Sequence, residues 1–383
     1  MPSRLRIGVN ALYLIPGGVG GTEIYLRNLL QALSEIDRRN QYFVYVNRET
    51  GPDLCPRAAN FAPVETGVRA KFRPGRLIWE QTGLAWRAFH QDLDVLFSPG
   101  FTSPRWHRGR GVTVIHDLQH RRHPENFGYF ELRAWEASVR QSVRRSKLLI
   151  AVSENTRKDL EEIYEVPPAR VRVIPHGVEK DFFGLKENPE YTAAPLAELG
   201  LEERKYLLVV STTHPHKNWE RLLGAYKLLR AEGTELELAI CGLPGKSAKG
   251  LPDAIAAAGL TEHVKVLGWQ PRPTLLALFK YAEALVFPSI FEGFGMPVLE
   301  ALACRLPVAC SDIGPLQEIA KGAAELFDPS KEDEIAAAVA RILRDPALRG
   351  RNVQAGLKRA KAYTWRRAAE RTLAALLHAN YYG

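Results

Sequence analysis

Cysteine is scarce in this chain. Cys55, Cys241, Cys304 and Cys310 are the four in 383 residues and share no CxxC spacing, so no disulfide framework is expected and a reducing cytosol is the natural setting. Long apolar runs are missing too, none reaching the ~18 residues that a membrane-spanning helix needs. The N-terminal Arg4-Leu5-Arg6 and the IGVNALYLI behind it are too short for a secretory signal and lack a small-residue cleavage site, so they read as a first strand. HExxH, GxSxG and Walker motifs are absent, which removes the commonest metalloprotease, serine-hydrolase and phosphate-loop chemistries. Two imitations fail on position. Gly245-Lys246-Ser247 has Ile240 where a phosphate-binding loop needs its earlier glycine, and Asp92-Leu93-Asp94 precedes its strand instead of following it.

Acidic residues are in deficit, and unevenly. Of the net charge of +9, the stretch from Thr66 to Lys147 supplies +8, with 15 Lys/Arg against 7 Asp/Glu. It includes Arg69, Lys71 and Arg73, then Arg105, Arg108 and Arg110, then Arg140 to Lys147. Two readings stand: ordinary solvated helix faces, or attraction to an anionic surface such as membrane lipid, a phosphorylated substrate or nucleic acid. The helix expected from Trp135 to Lys147 groups Trp135, Val139 and Val143 beside Arg140, Arg144 and Arg145, as a helix lying on a membrane would.

What is present is the pattern of an α/β protein. The length suits two domains, and 46% apolar with 25% charged residues is the balance of a globular chain. Short, continuous Val/Ile/Leu runs alternate with helical stretches. Strands are expected at Leu5–Leu12, Tyr42–Val46, Val95–Ser98, Gly111–His116, Leu148–Val152 and Val171–Pro175, then at Tyr206–Ser211, Leu236–Cys241, Val264–Gly268, Ala284–Pro288 and Pro307–Ser311. Runs without alternation indicate burial on both faces, hence two doubly wound parallel-sheet, Rossmann-like domains. The boundaries expected are 1–185 with 364–383, and 186–363, with a linker around Lys180–Ala197 where Pro189 and Pro195 interrupt the pattern.

Polar signals fall just after the strands: Gly17–Gly21, Ser98-Pro99-Gly100, His116-Asp117, Ser153-Glu154, His176-Gly177, Lys217, Gly242, Trp269 and Glu292. Open α/β sheets bind ligands there, so one cleft between the halves is expected. Gly17–Gly21 lacks the third glycine of a dinucleotide fingerprint, and Thr22 is the expected N-cap of a helix over Ile24–Leu33. Lys217 stands at a helix start, an end that cations normally avoid, so a plain surface lysine is the weaker reading. His116-Asp117 reads either as reactive groups or as a structural histidine beside a capping acid. The histidines at 116, 120 and 123 sit on a loop with no cysteine or carboxylate framework, which argues against zinc.

The densest signal is EGFGMPVLE, with Glu292 before a helix and Glu300 one turn inside it, so that two carboxylates can flank one ligand. Free N–H groups between Gly293 and Val298 would offer a seat for an anion or for sugar hydroxyls. A strand–turn–helix with two solvated acids is the plain alternative. Continued through ALACRLPVACSD, the segment resembles the E-x7-E segment of the retaining glycosyltransferases of family 4, and the other signals follow in that family's order over nearly the whole chain. The resemblance implies the GT-B fold, with the helix from Trp365 crossing back onto the first domain. It implies acceptor binding by the first domain and nucleotide-sugar binding by the second. It implies catalytic roles for Glu292, Lys217, His116 and Asp117, and donor contacts from Gly20, Gly21, Thr212, Lys217, Gly242, Trp269, Glu292, Gly293, Phe294, Gly295, Met296 and Glu300. Glu292 would lie beside the donor sugar, Glu300 on the ribose, and Lys217 against the leaving diphosphate.

Neither cofactor nor metal is implied, the nucleotide sugar being a substrate. Two positions depart from the pattern: Thr212, where relatives often carry arginine, and Arg305, where they usually carry glycine at a helix end. The motif set is most similar to bacterial mannosyltransferases of polysaccharide and O-antigen assembly. GDP-mannose is therefore the expected donor, with a glycan or lipid-linked acceptor, and the setting is the cytoplasm or the inner face of its membrane. A UDP-sugar glucosyl- or N-acetylglucosaminyltransferase, a sugar-nucleotide 2-epimerase and a nucleic-acid-binding protein are the alternatives.

Overall fold

The computed structural model describes residues 4–18, 20–202 and 205–381. The chain forms two compact units, Met1–Gly177 with Thr364–Gly383, and Val178–Tyr363. In unit 1 the strands β1 (Arg6–Asn10), β2 (Gln41–Val46), β3 (Phe61–Glu65), β4 (Val95–Ser98), β5 (Arg110–Ile115), β6 (Leu148–Ala151) and β7 (Val171–Val173) lie in the order β3-β2-β1-β4-β5-β6-β7. In unit 2, β8 (Tyr206–Val210), β9 (Glu237–Cys241), β10 (Val264–Gly268), β11 (Ala284–Phe287), β12 (Val308–Ser311) and β13 (Glu325–Phe327) lie in the order β10-β9-β8-β11-β12-β13. Every pair is parallel, and the central strands are buried along nearly their whole length. That is why they read as unbroken apolar runs rather than as alternation. The strand order reverses between β1 and β4, and again between β8 and β11. At such points the outgoing loops diverge and leave a crevice at the carboxyl ends.

Several expectations shift. The edge strands β3 and β13 escaped the sequence reading. The first alternates in burial and carries Pro63, tolerated only at an edge, and the second is three residues long. The helix after the glycine-rich loop spans Gly21–Ile36 and is capped by Gly20 at φ 56°, so Thr22 lies in its first turn and is not the N-cap. The loop is tied down by the Glu23 carboxylate, which accepts from the Gly17 N–H at 2.7 Å. Val19, within that loop, lies outside the described residues.

The helix expected over Trp135–Lys147 spans Tyr129–Arg145, and its Val139 and Val143 are buried with Ile115, Leu149 and Ala151 while Trp135 packs against them. This stripe belongs to the core and not to a membrane face. Unit 2 begins at Val178, eight residues before the expected start at 186. Phe182 is fully buried edge-on against Phe279, ring centroids 5.1 Å apart, and Lys186 Nζ donates to the Ala282 carbonyl at 3.2 Å. The segment read as linker is therefore packed into the second unit. All four cysteines are free and buried.

Candidate active site

In unit 2 the loops after β8 and β11 meet at the point where strand order reverses. The chain leaves β8 through Thr212 and Thr213 into a single 3-10 turn, Pro215–Lys217, before the helix Trp219–Ala231. Asn218, at φ 64°, caps that helix, and its Nδ2 donates to the carbonyls of Pro288 at 3.1 Å and Pro329 at 2.7 Å. The Ile290 N–H donates to the His216 carbonyl at 2.9 Å. Two loops far apart in sequence are thus laced together.

The lacing sets Lys217 against Glu292. Lys217 Nζ donates to Glu292 Oε1 at 2.5 Å, both side chains are largely buried, and the ammonium lies 5.6 Å from the centre of the Phe287 ring. A cation before a helix N-terminus is unfavourable by itself, and the carboxylate and the ring face offset that. His214 packs nearly parallel to His216 at 5.7 Å. Burial, then Lys217, then Lys246 hold His214 below its ordinary range. Lys246 was set aside with its imitation phosphate loop, yet its N–H reaches His214 Nδ1 at 3.4 Å. It adds a second cation that sequence position alone concealed.

Beyond Glu292, Gly295 adopts φ 101° as the N-cap of Met296–Ala303, where a Cβ would lie 2.4 Å from Leu316 Cδ2. Glycine is required there for backbone conformation and for space. The N–H groups of Val298 and Leu299 turn back to the Gly295 carbonyl, and Pro297 has none, so the anion seat is shorter than the sequence implied. Phe294 turns its ring inward, 6.0 Å from that of Tyr363. Gly242, after β9, is hemmed in: a Cβ would stand 1.9 Å from the Ser211 carbonyl oxygen. Trp269, after β10, is exposed, and Thr212 is half-buried.

Glu300 is buried one turn into its helix, and no described side chain donates a hydrogen bond to it. Burial pushes its carboxyl up to about 7, with the Arg272 guanidinium pulling down and Glu179 pushing up. Arg272 itself pairs with Glu179 at 3.2 Å and Asp181 at 3.5 Å and lies over the Phe182 ring. Arg272 and Glu179 were not legible as site residues, since one opens a helix and the other stands just ahead of the expected linker.

Unit 1 holds the remaining candidates. His116 closes β5 and is buried among the rings of Tyr25, Phe101 and His176, 5.0 to 5.5 Å away. Its Nε2 donates to the Pro99 carbonyl at 2.8 Å, and burial brings it down to about 4, so it is a neutral imidazole near neutral pH. Asp117 is half-buried, and its Oδ1 accepts from the Gln119 N–H at 3.0 Å, the local bond of a capping acid. His120 joins Tyr164 and Glu136, and His123 joins Glu125, so the three histidines do not converge. Among the described residues no group of three His, Cys, Asp or Glu is arranged to hold a metal ion. Gly20 and Gly21 stand at the start of the first helix.

Residues 19–182 match the family described as Glycosyltransferase Family 4, and residues 196–359 match Glycosyl transferases group 1. O-antigen chain mannosyltransferase B of Escherichia coli is 30% identical over 281 residues, 73% of each chain. A D-inositol 3-phosphate glycosyltransferase of Thermobispora bispora is 27% identical over 392 residues, covering 93% of this chain and 89% of its own. Among solved structures, a sucrose-phosphate synthase from Thermosynechococcus elongatus has a TM-score of 0.79 at 19% identity, over 98% of this chain and 100% of its own. It shares the GT-B fold. Matched in both units and across most of its length, the chain belongs to the group 1, family 4 glycosyltransferases and is a glycosyltransferase.

Proposed function

We propose that this enzyme moves a hexose, mannose from GDP-mannose, onto a hydroxyl of a glycan or lipid-linked acceptor, with retention and without a metal ion. The observation that carries the reading is the Lys217–Glu292 pair at the strand-order reversal of unit 2. Transfer requires the bond between C1 and the diphosphate to loosen while the sugar becomes cationic. Lys217, with Lys246 nearby, compensates the departing phosphate, and the Glu292 carboxylate stabilises the sugar that faces it. Glu300 accepts from the ribose hydroxyls, and Gly242, Trp269 and the Gly293–Met296 turn shape the donor seat. Unit 1 takes the acceptor, and the family resemblance gives the neutral His116 and Asp117 of that unit a part in the reaction. Kinship with a mannosyltransferase at 30% identity supports mannose.

The acceptor's lipid would lie at an anionic membrane. No described helix is long and apolar enough to cross one, so contact would be peripheral. Of thirteen exposed large hydrophobic residues among those described, seven (Phe72, Ile78, Trp86, Phe89, Trp106, Tyr129 and Phe130) fall within the basic band. All seven belong to unit 1. Arg73 lies 4.6 Å over the Trp135 ring and pairs with Glu131, Arg108 lies 5.8 Å over Phe89, and Arg145 lies 4.4 Å over Trp106. Aromatic rings fringed by arginine match the interface of an anionic bilayer.

Thermal unfolding in the presence of GDP, UDP, ADP and their sugars tests the donor. Selective stabilisation by GDP and GDP-mannose is expected, by roughly 3 kcal/mol at a hundredfold excess over Kd. Selective stabilisation by UDP compounds would replace mannose with a UDP-sugar, and no response to any nucleotide would overturn the reading.

A further inference from the structure

The second strand-order reversal, between β1 and β4 in unit 1, also carries a cluster of polar groups. The chain there runs through the helix Arg73–Trp79, a π-helical turn Glu80–Leu84 and the helix Ala85–His90. This segment buries polar side chains beside the apolar Leu84 and Ala88. Arg76 and Glu80 are buried at 7% and 1% exposure, while Ile78, Trp86 and Phe89 stand out in solvent. Wide turns of this kind recur at functional sites because they shift the faces of a helix relative to one another.

The buried groups are incompletely partnered. Glu80 Oε2 accepts from Asn10 Nδ2 and from Thr102 Oγ1, each at 3.1 Å, while Oε1 is sealed from solvent without a hydrogen bond. Arg76 makes no hydrogen bond or close ion pair through its side chain among the described residues, only the longer-range attraction of the Glu80 carboxylate, and its Nε is sealed as well. Ser98 ends β4, one residue past the last paired rung (Val9 with Phe97) and lateral to Asn10, and its buried hydroxyl also lacks a partner. Buried guanidinium and carboxylate groups are normally saturated, because desolvation without compensation is severe. Three polar side chains, each with a sealed atom that lacks a hydrogen-bond partner, thus lie near one strand-order reversal.

We propose that Arg76, Glu80 and Ser98 form the acceptor subsite of unit 1, and that the acceptor carries an oxyanion, phosphate or carboxylate, next to a hydroxyl. The guanidinium takes the oxyanion, Glu80 Oε1 accepts from the hydroxyl, and Ser98 completes the set. The assignment rests on unit 1 being the acceptor domain. It goes further by making the acceptor anionic at the point of recognition and by assigning a glutamate and an arginine outside every motif above.

Calorimetric titration of the full chain with glycerol 3-phosphate tests it, with inorganic phosphate, glycerate, glycerol and GDP as companion probes. Glycerol 3-phosphate should bind and should move the Arg76 Nε–H resonance of the wild-type protein, a readout that needs no variant. Glycerate in place of glycerol 3-phosphate would identify the oxyanion as carboxylate and supports the subsite equally. Arg76→Gln should weaken the responsive probe by about tenfold or more. Glu80→Gln, nearly isosteric, should weaken the hydroxyl-bearing probe and leave inorganic phosphate unchanged. GDP affinity should hold within about twofold in both variants. Equal binding of the probe by Arg76→Gln and wild type, or an Arg76 resonance that responds only to GDP, overturns the subsite while leaving the donor reading intact. Failure of every probe, GDP included, overturns both.

Discussion

At the scale of single residues, the two glutamates of EGFGMPVLE stand in different electrostatic states. Glu292 is held by an ammonium, whereas Glu300 is buried and pushed up to about 7. A carboxyl whose folded pKa lies above its ordinary value favours folding most below pH ~4.5, and that contribution is lost as pH rises through about 7. Glu300→Gln should therefore be more stable than wild type above pH 7, by on the order of 3 kcal/mol, with the gap closing toward pH 4.5. The same variant should bind GDP more weakly, since an amide is the poorer acceptor for ribose hydroxyls. Paired thermal unfolding from pH 4.5 to 8 checks the first claim; a gap that stays constant with pH would show that Glu300 is not the group titrating. The two glutamates were legible as a spaced pair, but the ion pair was not, because Lys217 and Glu292 lie 75 residues apart. Arg76 and Glu80 were invisible for a different reason: in sequence they are ordinary polar positions, and only burial turns them into an anomaly.

At the scale of elements, the helix Met296–Ala303 ends as its departure from the family pattern implied. Arg305 adopts φ 60°, with its N–H turned to the Leu302 carbonyl and the Leu306 N–H turned to that of Ala301 at 2.9 Å. This is the left-handed helix end that glycine serves best, and a side chain there costs roughly 1 kcal/mol. Arg305 also pairs with Glu187 in an exposed bridge, which offsets a few tenths of that. Arg305→Gly should raise the melting temperature by about a degree or two while activity is retained; a lower melting temperature would mean that the bridge outweighs the backbone strain. The parallel strands were readable because burial on both faces leaves long apolar runs. The edge strands were not, since β3 is interrupted by Pro63 and β13 is too short to register. The helix Tyr129–Arg145 misled in the opposite direction: its apolar stripe is genuine, but the core takes it.

At the scale of the whole molecule, the uneven charge acquires a place. Arg108 lies over the exposed Phe89, and Arg105 and Arg145 over the exposed Trp106, all in unit 1, and each basic group near an anionic bilayer is worth about 1 kcal/mol at modest ionic strength. The protein should float with phosphatidylglycerol vesicles at low salt and release at high salt. Replacing Ile78, Trp86 and Phe89 by serine should abolish flotation without unfolding, because those side chains are already in water. Flotation unchanged in the triple variant would assign the attraction to charge alone, and no flotation at low salt would leave a soluble acceptor as the better account. Two-domain organisation was legible from strand runs and prolines, while the unit boundary depended on Phe182 and Leu185 finding their core eight residues ahead of the expected start.

The central claim is that Lys217 and Glu292 supply the charge on which transfer depends. It is tested most directly by the rate of donor turnover in excess EDTA, for wild type and Glu292→Gln, beside the GDP affinity of each. The wild-type rate should be undiminished by EDTA, and Glu292→Gln should lose about a hundredfold to a thousandfold in kcat while its GDP affinity stays within about twofold. Strict dependence on a divalent ion, or loss of GDP affinity in Glu292→Gln with kcat unchanged, would contradict the account.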